Sequence, residues 1–170
     1  GCRVRTWRDA VAITVPERLG SLGWVRTMPY PGFPTDAQAP LMAAALRADG
    51  TTVFTETIFQ NRYRHVNEMA RMGARVRTEG KVAIVTGVPR LHGASVRCTD
   101  LRGGAALCAA ALAAEGQSVI AEIHHIERGY EHLDESLRQL GANITRSDHE
   151  TEAEETQTEQ PTTSEEGAGA

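Results

Sequence analysis

The sequence predicts an α/β fold built from repeated helix–strand–helix–strand–strand units. Three observations support this: alanine-rich segments, short β-branched runs, and the recurrence of both at a nearly constant spacing. Thr35-Asp36 opens one alanine-rich segment, and Thr99-Asp100 opens another about 65 residues later. The β-branched runs at 51–56 and 117–122 follow at the same spacing and are predicted strands. One unit is therefore duplicated along the chain.

Each alanine-rich segment is predicted to form a helix with an aspartate at its N-cap. The carboxylates of Asp36 and Asp100 precede apolar positions, where they would accept unpaired backbone N–H groups. Gly50 and Gly116 are expected to end these helices as C-caps. Pro40 lacks a backbone N–H, which predicts a later start for the first helix.

A second helix and a hairpin are expected after each long helix. The apolar positions at helical spacing are Val66, Met69 and Ala70 before Gly73 in the first unit, and Leu133, Leu137 and Leu140 before Gly141 in the second. Strands at 75–77 and 81–85, joined by Glu79-Gly80, are predicted to form a hairpin. These elements complete the unit.

The chain is expected to hold one folded domain and a tail. Residues 1–146 form the predicted domain, with the repeat at about 35–98 and 99–146. Residues 147–170 contain eight acidic residues and no Lys or Arg, so a disordered acidic tail is predicted. The chain begins Gly1-Cys2 and its first methionine is Met28, which suggests a fragment of a longer protein.

The charge balance argues against several classes of protein. Residues 1–146 contain 18 basic and 14 acidic residues, a net charge of +4 that suits a small anionic ligand. They lack the concentrated basic stripe of a nucleic-acid binder. No apolar run reaches the roughly 20 residues of a membrane-spanning helix. Cys2, Cys98 and Cys108 form no metal-ligand pair, and buried free thiols indicate a cytoplasmic protein.

The repeat also predicts a cluster of charged side chains. Two aspartates at the helix entries and two arginines after the following strands are expected at one rim: Asp36, Asp100, Arg62 and Arg128. Arg102 adds a guanidinium near a helix N-terminus, where anions are favoured. The two glycines after it, residues 103 and 104, are expected to allow close approach of a ligand. The alternative for each residue is structural, as a helix cap or a surface ion pair.

His124-His125 is the only adjacent histidine pair, and it is not expected to bind a metal. On a predicted strand the two side chains would point to opposite faces, and two histidines without a third ligand do not make a zinc site. No metal is therefore predicted.

Several long motifs resemble those of the enolpyruvyl transferases that act on UDP-N-acetylglucosamine. These motifs are PYPGFPTDAQ (29–38), TETIFQNR (55–62), HVNEM (65–69), RMGA (71–74), TDLR (99–102) and HIERGYE (125–131). They are correctly ordered and spaced over about residues 26–146. The first motif distinguishes this branch from the sister enzymes that act on shikimate 3-phosphate.

The resemblance implies a fold and a reaction. The fold would be part of an inside-out α/β barrel of the enolpyruvyl transferase type, with helices inside and sheets outside. The reaction would move the enolpyruvyl group of phosphoenolpyruvate to the 3-hydroxyl of UDP-N-acetylglucosamine and release phosphate, without metal or cofactor. This is the committed step of peptidoglycan precursor synthesis. The family's N-terminal domain supplies a Lys-Asn pair and a loop carrying the general acid, so the chain alone is expected to be inactive.

The resemblance also assigns roles to individual residues. Asp36 would be the base that faces the sugar hydroxyl, and Ile58 would offer a backbone contact to the sugar nucleotide, with Arg62 in the same pocket. Arg102 and Arg128 would line the cleft for phosphate and carboxylate groups, with Arg128 counted with Asp36 as catalytic. Asp100 would orient neighbouring arginines.

Two other functions remain open at this point. A catalytically degenerate homologue could bind a UDP-sugar or a regulatory partner without turnover. A nucleic-acid end-processing relative with similar units is disfavoured by the acidic tail and the missing basic stripe.

Overall fold

The computed structural model describes residues 1–147, and the tail predicted to be disordered lies almost entirely outside the described residues. The strands are β1 (Arg3–Thr6), β2 (Val11–Thr14), β3 (Trp24–Arg26), β4 (Thr51–Thr55), β5 (Arg75–Glu79), β6 (Val82–Thr86), β7 (Leu91–His92), β8 (Ser95–Arg97), β9 (Ala114–Glu115) and β10 (Val119–Ala121). The helices are α1 (Gln38–Ala45), α2 (Val66–Arg71), α3 (Leu101–Leu112), α4 (His124–Glu127) and α5 (Leu133–Gln139), with a 3-10 turn at Thr35–Ala37.

Helices α1 and α3 pack against each other at the centre of the domain. Small side chains such as Ala39 and Ala106, both buried, allow the two helix backbones to approach closely. Met42, Leu46 and Leu107 fill the remaining space and are fully buried. The two alanine-rich segments are therefore core helices, with the strands outside them.

The strands form four separate sheets in residues 1–147. The largest has the order β3-β4-β6-β5, with β3 parallel to β4 and the other pairs antiparallel. The parallel pairs β8–β10 and β7–β9 and the antiparallel pair β1–β2 are two-stranded. These strands do not close into a barrel. The fold class, a partial α/β domain, is as predicted.

The predicted elements occur in the predicted order in the first unit, which also contains the unpredicted strands β7 and β8, and they are incomplete in the second. The first unit runs α1, β4, α2, β5 and β6, and Gly80, at φ 55°, turns the β5–β6 hairpin. The second runs α3, β9, β10, α4 and α5, and residues 99–147 contain no closing hairpin. Helices α2 and α5 end as predicted, each followed by a glycine, Gly73 or Gly141, at positive φ.

The predicted C-caps of the two long helices are wrong. Helix α1 ends at Ala45 and α3 ends at Leu112, several residues before Gly50 and Gly116. Both glycines have positive φ, 95° and 90°, but they turn the chain into the following segment rather than cap the helix. Strand β10 is also shorter than the predicted run at 117–122.

The β1–β2 hairpin has every residue of its strands exposed to solvent. Val4, Val11 and Ile13 lie on one face of it and are 59–64% exposed. Across residues 1–147, no helix is long and apolar enough to cross a membrane.

Candidate active site

The site is centred on the N-terminus of α3, where Asp100 is the helix cap. One carboxylate oxygen of Asp100 accepts the backbone N–H groups of Arg102 at 3.1 Å and of Gly103 at 2.8 Å. This confirms the predicted N-cap. Asp100 therefore fixes the backbone of Arg102, and its contact with that arginine is through the helix start rather than through the guanidinium.

Asp36 does not cap α1, contrary to the sequence prediction. It lies in the 3-10 turn before α1, and its two carboxylate oxygens accept hydrogen bonds from Arg62 Nη2 at 3.1 Å and Arg102 Nη2 at 2.8 Å. Charge-assisted bonds of this kind are stronger than bonds to neutral backbone N–H groups. Pro40, in the first turn of α1, also has no N–H to offer a cap.

The two arginines and the aspartate differ in exposure. The side chain of Asp36 is 57% exposed, whereas those of Arg62 and Arg102 are 17% and 27% exposed. The hydrogen bond from Arg102 lowers the pKa of Asp36 below its ordinary value; partial burial opposes this shift, and the charges of Arg102 and Arg62 add to it. A solvent-facing carboxylate is thus held between two fixed cations.

An aromatic ring supports each arginine. Arg102 Nη1 donates to the hydroxyl of Tyr130 at 2.9 Å, and its guanidinium lies 5.4 Å from the Tyr130 ring centroid. The Arg62 guanidinium lies 5.3 Å from the Phe59 ring centroid. Such cation–π contacts restrict the guanidinium groups to one region of the site.

Glu56 is a buried carboxylate that joins the two loops on which the site rests. It is 1% exposed and accepts four hydrogen bonds: from the hydroxyls of Thr27 at 3.0 Å and Thr35 at 2.9 Å, and from the N–H groups of Ile58 at 2.8 Å and Phe59 at 3.1 Å. Burial alone would raise the pKa of Glu56, but these bonds lower it below its ordinary value. Glu56 thereby links the loop before Asp36 to the loop that carries Ile58.

Ile58 lies beside an exposed apolar rim. Its N–H is bonded to Glu56, so its carbonyl is the backbone group left for a ligand. Its side chain is 39% exposed, and Phe59, Met28 and Tyr30 are 49%, 48% and 98% exposed. These side chains and Asp36 line one open cleft. The cleft therefore combines apolar side chains with one carboxylate.

His65 and Gln38 are fully buried polar residues next to this cluster. Neither ring nitrogen of His65 and neither amide atom of Gln38 has a hydrogen-bond partner among residues 1–147. Burial lowers the pKa of His65 to about 4; the charge of Asp100 opposes this shift and that of Arg62 adds to it. The imidazole is therefore neutral at physiological pH.

The predicted gathering of two aspartates and two arginines is correct in part. Asp36 and Arg62 meet, with Arg102 as the second guanidinium, and Asp100 lies one turn away at the start of α3. Arg128 follows α4 and is exposed, and its side chain makes no hydrogen bond or ion pair within the described part of the chain. The side chain of Arg128 is therefore not bonded to the Asp36 cluster, although the neighbouring Tyr130 is.

Two further expectations are corrected. Gly103 and Gly104 are buried and face protein side chains, since a Cβ on them would come within 3.0 Å of Asp100, His65, Ile126 or Cys98; they do not open a path to a ligand. His124 and His125 lie on the short helix α4, not on a strand, with ring centroids 4.1 Å apart. No group of three or more potential metal ligands occurs among residues 1–147.

Sequence reasoning missed the roles of Glu56 and Tyr130. Glu56 lies in the motif at 55–62 and Tyr130 in the motif at 125–131. Neither residue belongs to a repeat or capping pattern that would indicate its role. An acid that directly follows a β-branched strand is a weak signal for a buried loop anchor. Tyr130 is recognisable only once α4 brings it back to Arg102.

Comparison with solved structures defines the class of the domain. The fold matches the enolpyruvyl transferase NikO from Streptomyces tendae with a TM-score of 0.75 and 31% identity, over 84% of this chain and 33% of that one. The repeated units and the charged cluster thus belong to a domain of the enolpyruvyl transferase class. The chain belongs to the EPSP synthase (3-phosphoshikimate 1-carboxyvinyltransferase) family, whose model matches residues 1–137.

Two curated relatives are named for UDP-N-acetylglucosamine, whereas the family model is named for 3-phosphoshikimate. UDP-N-acetylglucosamine 1-carboxyvinyltransferase 1 of Symbiobacterium thermophilum is 51% identical over 146 residues, which cover 86% of this chain and 33% of that protein. UDP-N-acetylglucosamine 1-carboxyvinyltransferase of Desulfofundulus thermocisternus is 51% identical over 150 residues, which cover 88% of this chain and 61% of that protein. The chain therefore spans about one third to three fifths of these two relatives.

Proposed function

We propose that the chain is part of an enzyme that transfers the enolpyruvyl group of phosphoenolpyruvate to the 3-hydroxyl of UDP-N-acetylglucosamine and releases phosphate. The observation that carries this proposal is the carboxylate of Asp36, exposed at a cleft and held between Arg62 and Arg102. About 50% identity to proteins named for this reaction supports the choice of acceptor. The reaction would be a cytoplasmic step of peptidoglycan precursor synthesis.

Asp36 is the proposed general base. A base must reach the proton that it removes, and the Asp36 carboxylate is the exposed acid of the cleft lined by Met28, Tyr30 and Ile58. The apolar rim would hold the sugar nucleotide, with the Ile58 carbonyl as an acceptor for a sugar hydroxyl or amide. Arg62 would hold the Asp36 carboxylate in place through its hydrogen bond to Oδ1.

The remaining arginines are the proposed anion-binding groups. Arg102 presents a guanidinium fixed by Tyr130, and a planar guanidinium suits phosphate or carboxylate oxygens. Arg128 is exposed and unpaired among residues 1–147, so its full charge is free for a substrate that reaches it. Asp100 would contribute by fixing the helix turn from which Arg102 projects.

The 170-residue chain is expected to bind ligands without turnover. Proton transfer to phosphoenolpyruvate needs an acid, and in the resembled enzymes that acid and the Lys-Asn pair come from another domain. The test replaces the corresponding segment of the Symbiobacterium thermophilum relative with residues 1–146 of this chain. Phosphate release is then measured with both substrates present, beside an Asp36→Asn version of the same chimera.

Turnover that falls at least 100-fold in the Asp36→Asn chimera is the expected result, in the range of general-base contributions. A chimera that folds cooperatively and binds UDP-N-acetylglucosamine but releases no phosphate would replace the proposal with the binding-only homologue. Equal turnover with and without the Asp36 carboxylate would remove Asp36 as the base.

A further inference from the structure

The ion pairs of Asp36 conflict with its proposed role as a base. A carboxylate that accepts hydrogen bonds from two guanidinium groups is stabilised in its charged form and takes up a proton reluctantly. Its charged neighbours are Arg62 and Arg102, at 3.1 Å and 2.8 Å, and partial burial opposes their effect on the pKa without cancelling it. At least one of these pairs must weaken before Asp36 accepts a proton efficiently.

The two arginines are not equivalent in their ability to leave Asp36. Arg62 is 17% exposed, also donates to the Thr35 carbonyl at 3.4 Å, and has a buried Nε beside the Phe59 ring. Arg102 is 27% exposed, and its second hydrogen bond is to the hydroxyl of the half-buried Tyr130. Arg102 is thus the more exposed of the two partners of Asp36, and the one more accessible to an anion from solvent.

We propose that Arg102 is shared between Asp36 and the anionic co-substrate, so that anion binding draws the guanidinium from Asp36 and frees the carboxylate to act as the base. This inference rests on the proposed function and concerns how the same site is regulated. In the released state the sugar hydroxyl gives its proton to a carboxylate oxygen of Asp36. The O–H bond breaks, the electron pair stays on the sugar oxygen, and a new O–H bond forms on Asp36. Asp36 then becomes an effective base only when the anionic co-substrate is bound.

Reciprocity makes the inference measurable without turnover. If an anion weakens the Arg102–Asp36 pair, then that pair weakens anion binding by the same factor. Removing the Asp36 charge should therefore tighten the binding of inorganic phosphate to the 170-residue chain at pH 7, where the fold is undisturbed by acid. Phosphate dissociation constants would be measured by NMR titration, with chloride added to hold the ionic strength constant.

The variants are Asp36→Asn, Arg102→Gln, and both together, with Arg75→Gln as the charge control on an exposed strand. We expect phosphate to bind Asp36→Asn about fivefold or more tightly than the original chain. The gain should persist with Arg75→Gln, whereas in the Arg102→Gln background the residual phosphate binding should be equal with and without the Asp36 charge. Amide spectra of each variant verify that the fold is retained.

Three outcomes would overturn the inference. The first is an equal gain in the Arg102→Gln background, which would mean simple repulsion between phosphate and Asp36. The second is unchanged or weaker binding to Asp36→Asn, and the third is no phosphate binding to the original chain at any accessible concentration. None of these measures turnover, so the inference can fail while the chimera still releases phosphate, and the reverse also holds.

Discussion

Arg102 Nη2 and Asp36 Oδ2 are 2.8 Å apart although the two residues are separated by 66 positions in the sequence. Asp36 belongs to the first of the two repeated units and Arg102 to the second. The site therefore lies across the boundary between the units, where α1 and α3 pack together. Duplication supplied two similar helix entries. Their packing brings the aspartate of the first unit against the arginine of the second.

The hydroxyl of Tyr130 is expected to matter through Arg102. Tyr130→Phe keeps the ring under the guanidinium but removes the acceptor of a 2.9 Å charge-assisted bond. We expect the free energy of unfolding to fall by about 1 kcal/mol, since Arg102 is partly exposed and water replaces some of the bond. Urea denaturation measures the change. Tyr30→Phe is the control, because the Tyr30 side chain is 98% exposed, and an equal loss there would contradict the argument.

Glu56 is expected to be the least replaceable side chain of the site. Glu56→Ala leaves four donors without their acceptor, including the buried Thr27 hydroxyl and the N–H groups of two loop residues. We expect a loss of about 2–4 kcal/mol in the free energy of unfolding and weaker binding of UDP-N-acetylglucosamine. Glu56→Gln retains one oxygen and should lose about half as much. Equal stability of all three chains, measured by thermal and urea unfolding, would show that the loops are held by other contacts.

Stability is expected to depend on pH through His65. The folded pKa of His65 is about 4, whereas an unfolded histidine has a pKa of about 6.5. As the pH falls below 6.5 the unfolded chain binds the proton first, so the stability present above pH 6.5 is lost towards pH 4. The full loss would be about 3 kcal/mol, from 1.36 kcal/mol per pKa unit.

The window between pH 4.5 and 6.5 isolates this effect. The pKa values of Asp36 and Glu56 are below their ordinary values, so the stability that they contribute is lost only at lower pH. Urea unfolding across the window should have a smaller pH slope in His65→Gln. His92→Gln, at an exposed position, should keep the original slope. An unchanged slope in His65→Gln would assign the pH dependence to another group.

A close backbone contact is expected to make Gly87 irreplaceable. A Cβ at Gly87 would lie 1.6 Å from the carbonyl oxygen of Ala48, so the backbone would have to move. Gly87→Ala should cost at least about 3 kcal/mol or prevent folding. Gly20→Ala is the matched control, since nothing lies within 4 Å of a Cβ there. Similar melting temperatures for the two variants would mean that the chain relaxes easily at Gly87.

The repeat, the helices and the hairpin could be predicted because each depends on local patterns. Asp100 before an apolar run, and glycine after α2 and α5, act within one turn of chain. Asp36 has the same local pattern as Asp100 but a different environment, because two arginines from elsewhere in the chain reach its carboxylate. The bond between Arg102 and Tyr130 and the four bonds of Glu56 also depend on tertiary packing, which no local pattern encodes.

The amides of the exposed β1–β2 hairpin should exchange with solvent faster than the amides of the core. Its strands have four residues each, and no other strand or helix of residues 1–147 pairs with them. A two-stranded hairpin without a packed face is marginally stable, so its backbone should open without waiting for the core to unfold. In deuterium exchange the amides of β1 and β2 should therefore be labelled within seconds, while those of α3 persist until global unfolding.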